Sequence, residues 1–370
     1  MEHPREITTV QASMILISTI IGVGVLPLPL FAVQGGGTGA PLVTFAGIIL
    51  AAIGLFILTA LGIRHPKKTI ITYGEDIVGK WIGKMCSMIV IFFFVILSAL
   101  AAREFGEVVV SAVLRETPLE VTVIVMLLIA CLSVRYNINT FAYIHNFYVP
   151  AILGPVLIIV AFSLKNANPI YLRPLIEKDF ISMVKGMLTI SGLFQGSFIV
   201  TMVIPFMKNP KKAKKASFWG IFITGGVYLL IVIATIAVFG TEEIKQIFWP
   251  TLELARTTAL PGNILQRLDV IFLAVWVTAV FTTLFSSYYF TIYSIKQMAK
   301  LKDHRMISFF ILPFVFFLAM LPQNILQLYD VIQIAGRVGL LITILYPAML
   351  LAIDLFRSRR RREKSVAQES

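Results

Sequence analysis

Two glycines and two prolines inside an apolar run are the residues of this chain best placed to do chemistry. Residues 10–32 read VQASMILISTIIGVGVLPLPLFA, with Gly22-Val23-Gly24 in the middle and Pro27 and Pro29 just after. In a helix interior glycine costs about 1 kcal/mol and proline about 3, so this run cannot propagate as a regular helix. About 20 residues cross a bilayer, and in hydrocarbon each freed backbone group must find another partner. The break must therefore face protein or a wet cavity. Amides freed at a half-helix N-terminus favour carboxylates, and unwound carbonyls favour cations or ammonium groups. A kink alone needs one such residue; the cluster reads as a binding site at Gly22 and Gly24.

A second interrupted run carries Ser191-Gly192-Leu193-Phe194-Gln195-Gly196-Ser197. A break at Gly192 and Gly196 facing the first would complete a cradle suited to a free amino acid, which needs partners for both charges. Gln195 is the large polar side chain of that run, and both an inter-helix hydrogen bond and a ligand contact fit it. Further on, AVFTTLFSSYYFTIYSI places Thr283, Ser287 and Thr291 four residues apart on one helical face. Thr282, Ser286 and Tyr289 share a neighbouring face. Such hydroxyls either return hydrogen bonds to their own helix and its close neighbours or form a polar wall opposite the first break. In ALAAREFGEVV, Arg103 and Glu107 are spaced to pair and Glu104 faces elsewhere. Ionisable groups within spans are site candidates by default, but these sit toward the outer end of their span and also fit an interfacial role. On this reading no Asp or Glu lies deep in a span, and no Lys lies mid-membrane in span five.

The elements that must position these residues are membrane helices. Ten spans are expected, near 10–32, 40–62, 85–107, 119–135, 146–164, 186–206, 217–239, 268–294, 306–321 and 333–355. Hydrophobic residues make up 58% and charged residues 14% of the 370, and the mean hydropathy is +0.88, against about 25% charged in soluble domains. The chain reads as a single membrane domain, residues 1–370, with a basic tail at 357–370. Lys and Arg concentrate in alternate loops, at Arg64–Lys84, Lys208–Lys215, Lys296–Arg305 and the tail. That asymmetry predicts cytoplasmic N- and C-termini. It also assigns the net charge of +13 to topology and anionic lipid rather than to nucleic acid. The interrupted spans are the first and the sixth, of opposite direction. This is the signature of an inverted repeat, roughly 10–164 and 186–356, inferred from hydropathy and breaker positions without residue-level identity between the halves. Within 63–84, Ile70, Tyr73, Ile77 and Trp81 fall at helical spacing, predicting a short amphipathic helix along the interface. The outer loop 165–185 is expected to be irregular. The loop 240–267, with Trp249-Pro250 and Pro261-Gly262, either covers the outer mouth or is a plain loop.

Cys86 and Cys131 offer no disulfide framework, and His3, His65, His145 and His304 no metal motif. The first apolar run is too long and too interrupted for a cleavable signal peptide. With no hydrolytic triad, phosphate-binding loop or metalloprotease motif, neither an enzyme nor a cofactor is expected.

Ile7-Thr8-Thr9-Val10-Gln11, followed by Ile20-Ile21-Gly22-Val23-Gly24-Val25-Leu26-Pro27-Leu28-Pro29, resembles the opening of the endospore germination permease family. His65-Pro66-Lys67-Lys68-Thr69 running on to Val78-Gly79-Lys80-Trp81-Ile82-Gly83-Lys84 is similar to that family's first cytoplasmic loop, and Leu172-Arg173-Pro174-Leu175 also fits. The resemblance covers nearly the whole chain. It implies a B subunit of a nutrient germinant receptor with the fold of the amino-acid/polyamine/cation transporters, in the inner membrane of a bacterial spore. It implies a larger A subunit and a lipoprotein C subunit as partners, and a small nutrient, amino acid or sugar, between spans one, three, six and eight. By span position it points to Gly22, Val23, Gly24, Gly192, Phe194, Gln195, Thr283 and Ser287. An H⁺- or Na⁺-coupled amino-acid permease is the alternative, and a purely structural assembly subunit a third.

Overall fold

The computed structural model describes residues 6–174, 176–258 and 268–369, with side chains described as far as residue 358. Leu175, Pro261-Gly262 and the side chains of Arg359, Arg360, Arg361 and Arg362 lie outside the described residues. The helices are α1 (Thr9–Ile20), α2 (Leu28–Gly36), α3 (Ala40–Arg64), α4 (Ile70–Val78), α5 (Lys80–Ala112), α6 (Leu119–Ser133), α7 (Ile138–Ser163) and α8 (Phe180–Gly192). They continue with α9 (Val200–Val203), α10 (Ala213–Ile244), α11 (Pro250–Thr257), α12 (Leu268–Met298), α13 (Arg305–Met320), α14 (Ile325–Leu340) and α15 (Tyr346–Glu369). No strand occurs among the described residues; one isolated bridge joins Ile7 to Met207.

Six helical runs are long and apolar enough to cross a membrane, and the bent pair Phe180–Gly192 and Gln195–Phe206 makes a seventh. Thr9–Ile20, Leu119–Ser133 and Arg305–Met320 are apolar but shorter. The chain is thus an all-helical, multi-pass membrane protein.

Local chemistry sets the ends. Thr8 and Gln11 form a capping box at the start of α1, each side chain accepting from the other's backbone at 2.9 and 3.2 Å. Asn137, Asp179 and Asn324 cap α7, α8 and α14. At the far end of α1, Ile21 is extended and Gly22 leaves helical geometry. A 3₁₀ turn, Val23–Val25, leads to Pro27 and α2. The glycine–proline cluster therefore breaks the first run as its composition requires. The second break follows Gly192, where Leu193 and Phe194 lead into the 3₁₀ stretch Gln195–Ile199 and the axis bends by 42°.

The two broken runs lie side by side and antiparallel. Ile7 N–H donates to Phe206 O at 3.0 Å, and Lys208 N–H donates back to Ile7 O at 2.9 Å. Further along, a Cβ added to Gly196 would lie 2.9 Å from Thr19 O, and one added to Gly24 would lie 3.1 Å from Leu193 Cδ2. Beyond the breaks, a Cβ on Gly186 would stand 2.8 Å from Gly35 Cα. Contacts that pair early residues of one run with late residues of the other fix opposite directions.

Two expectations about loops are corrected. The helix anticipated across Ile70, Tyr73, Ile77 and Trp81 stops at Val78, because Gly79 takes φ +94°. Its apolar face is turned into the protein: Ile70, Tyr73 and Ile77 are buried, whereas Trp81 belongs to α5 and is 84% exposed. The 165–185 segment is not wholly irregular, since 3₁₀ turns occupy Leu164–Asn166 and Pro169–Leu172.

Candidate functional site

Ending a helix inside a membrane protein strands its last carbonyls, and side chains from three other helices take them up. Thr282 Oγ1 donates to Ser18 O at 2.9 Å, and Thr283 Oγ1 to Thr19 O at 2.9 Å. Tyr228 Oη donates to Ile20 O at 2.8 Å, and Thr251 Oγ1 to Val25 O at 2.7 Å. The donors come from α12, α10 and α11. The 240–267 loop is therefore more than a connection: its helix α11, with Pro250 at its start, caps the break. The first break is not a ring of open carbonyls, and Thr283 is a cap as well as a wall residue. A Cβ on Gly22 would collide with the Thr283 side chain and stand 3.0 Å from Ala279 O, so glycine there permits the close approach of α12.

At the second break Gly192 packs on the α14 backbone; an added Cβ would meet Gly336 Cα at 2.8 Å. Gln195 Nε2 donates to Gly336 O. The inter-helix hydrogen bond foreseen for Gln195 exists, and its Oε1 is left buried and without a partner among the described residues.

A cavity of about 100 Å³ opens between the two breaks. Val23, Gly24, Gly192, Gln195, Thr283 and Ser287 all line it, together with Thr19, Ser286 and Glu104. Gly22 and Phe194 do not. Gly22 is the point of approach to Thr283, and Phe194 is buried edge-on against Tyr228 with ring centroids 5.1 Å apart. The structure thus brings together elements 1, 3, 6 and 8 of the sequence-predicted spans, and six of the eight residues expected there.

Two groups take positions that the sequence reading left open or did not assign. Arg103 and Glu107 do pair, Nη2 to Oε1 at 2.6 Å. Glu104, expected to face elsewhere near an interface, is instead 1% exposed in the cavity wall. The general rule that an ionisable residue within a span is a site candidate already singles it out, and the burial favours that reading over the interfacial one. The second is His145, placed by sequence at the edge of a span. The Asn137 cap starts α7 at Ile138, so His145 lies two turns inside and is fully buried. Its Nδ1 is 2.5 Å from Ser18 Oγ and its Nε2 3.2 Å from Ser286 Oγ, and Ser286 Oγ in turn is 2.7 Å from Thr19 Oγ1. One imidazole therefore ties the last turn of α1 to α12 across α7. No cluster of three potential metal ligands occurs among the described residues.

Known proteins resemble this chain over nearly its whole length. The family model described as spore germination protein matches residues 6–328. Spore germination protein YndE of Bacillus subtilis (strain 168) is 29% identical over 357 residues, 96% of this chain and 98% of that protein. Spore germination protein B2 of the same strain is 27% identical over 327 residues, 88% of each chain. Spore germination protein GerLB of Bacillus cereus is 24% identical over 369 residues, 96% of each.

Proposed function

We propose, for a chain that belongs to the spore germination protein family, that it is the ligand-binding membrane subunit of a nutrient germinant receptor. The observation that carries the reading is the cavity held between two facing helix breaks. Broken helices facing each other across a membrane domain are how transporter-like folds build small-molecule sites. The ligand is a small nutrient, an amino acid or a sugar, bound by Val23, Gly24, Gly192, Gln195, Thr283 and Ser287. Gly22 and Phe194 shape the site from behind. Binding favours one of two cavity conformations by differential affinity, and partner A and C subunits read the shift in the spore inner membrane.

Ten crossings follow on this reading from the six long helices, the bent pair and the three shorter apolar helices. Leu28–Gly36 then completes the crossing begun by Thr9–Ile20, since Gly37 at φ +57° separates it from Ala40–Arg64. The antiparallel course of the two broken runs supports a five-plus-five inverted repeat, about 10–164 and 186–356, in one membrane domain with a basic tail at 357–370 and both termini cytoplasmic.

A coupled amino-acid permease is the second reading. Its support is a pair of buried ionisable residues, Glu104 and His145, within the helices. Vesicles containing the full chain separate the two. Saturable binding of an amino acid or sugar without gradient-driven accumulation is the receptor outcome, and uptake driven by an H⁺ or Na⁺ gradient would replace it with the permease.

A further inference from the structure

The wall of the cavity presents acceptors that have nothing to accept from. Glu104 is 1% exposed, and neither of its carboxylate oxygens has a hydrogen-bond partner among the described residues. Gln195 Oε1 is buried and equally unpartnered, because its amide nitrogen is committed to Gly336 O. Both residues line the same cavity, from α5 and from the second break. The hydroxyls beside them have already spent their protons. Thr283 donates to Thr19 O at 2.9 Å and Ser287 to Leu284 O at 3.0 Å. Arg103, next in sequence to Glu104, is turned to Glu107 at 2.6 Å. A buried carboxylate without a countercharge is unfavourable, and so is a buried amide oxygen without a donor. What the wall lacks is hydrogen-bond donors and positive charge in one small group. An ammonium group supplies both, with three N–H donors and no acceptor.

We infer that the cavity takes a small molecule bearing a primary ammonium group, held by the Glu104 carboxylate and the Gln195 side-chain oxygen. Amino acids and simple amines belong to this class; sugars and nucleosides do not. The inference rests on the cavity being the nutrient site and narrows the ligand to one class.

The test is ligand-induced thermal stabilisation of the full chain in lipid nanodiscs. The probes are the matched pairs L-alanine with L-lactate and L-valine with 2-hydroxyisovalerate, together with glucose, inosine, and sodium chloride against choline chloride. At least one amino acid is expected to stabilise, with its hydroxy counterpart weaker by about tenfold or more, as for loss of a charged hydrogen bond. Glu104→Gln, nearly isosteric, should lose the amino-acid effect by a similar factor, and Glu104→Asp should keep part of it. Glu116→Gln, at an exposed acid outside the cavity lining, should leave the affinity within about twofold, as for a surface substitution that touches no ligand. Equal binding of amino and hydroxy acids, unchanged binding by Glu104→Gln, or stabilisation by no amino acid would each overturn the inference. Stabilisation by Na⁺ alone would assign the carboxylate to an inorganic cation and overturn it too. Sugar or nucleoside binding that Gly24→Leu abolishes and Glu104→Gln spares would overturn the ammonium assignment while leaving the nutrient site standing. Amino-acid binding indifferent to Gly24→Leu would instead remove the site itself.

Discussion

Gly192→Ala is expected to destabilise the protein by about 2 to 3 kcal/mol, the cost of overpacking a well-filled contact. The added Cβ would stand 2.8 Å from both Cα and C of Gly336 and 2.9 Å from its carbonyl oxygen. These are backbone atoms, so no side-chain rotation relieves them, and α8 and α14 must part. The same displacement moves the Gly336 carbonyl away from Gln195 Nε2, so the cavity wall is disturbed along with the packing. Gly154→Ala in α7 is the control, because nothing lies within 4 Å of the position its Cβ would take. Removing a helical glycine there should be neutral or stabilising by up to about 1 kcal/mol. Thermal unfolding of the two variants in lipid, measured side by side, checks the prediction. Equal stability would mean that the α8–α14 contact is not as close as described.

His145→Ala carries the other large effect, a loss of roughly 2 to 5 kcal/mol, the range for emptying a buried site of a large side chain. The imidazole sits against Phe141 with centroids 4.3 Å apart and lies parallel to Phe285 at 5.8 Å. Its two nitrogens hold Ser18 and Ser286. Truncation leaves a void among three helices and two hydroxyls with fewer partners. Ser18→Ala removes one of those contacts, so the double variant should lose less than the sum of the single losses, by about 0.5 to 3 kcal/mol. Strict additivity would show that the Ser18–His145 contact contributes nothing. Because Ser286 also lines the cavity, ligand affinity should fall with stability in His145→Ala.

Much of the site was legible in the sequence, for a local reason. Gly22, Gly24, Pro27 and Gly192 act on the backbone where they stand, so the breaks follow from residue type alone. Of the six expected residues that meet in one cavity, four stand beside a break, and Thr283 and Ser287 reach it from α12. The misses at Thr283 and Glu104 are tertiary, and those at His145 and Trp81 are local. Whether Thr283 faces a ligand or caps a carbonyl depends on how closely α12 approaches Gly22. Glu104 stands one residue from a side chain that did form the expected pair, and only the packing of α5 on the breaks decides that Glu104 turns inward. His145 was misplaced by a helix start, set by Asn137 ahead of an apolar run that begins later. Trp81 failed for a similar reason: helical spacing continued through Gly79, where a left-handed backbone ends one helix and starts the next.

The central claim is that the space beside the first break receives the nutrient, and Gly24→Leu addresses it most directly. A Cβ at this position would meet Leu193 Cδ2 at 3.1 Å, the end of a side chain that can yield. The fold should therefore survive while the rest of the leucine fills the cavity. The decisive measurement is equilibrium binding of the nutrient to the full chain in lipid, wild type against Gly24→Leu, at matched folded yield. The account predicts saturable binding by the wild type and a loss of about 100-fold or more in the variant, as expected when a ligand's place is occupied outright. Wild-type affinity in a well-folded Gly24→Leu protein would contradict it.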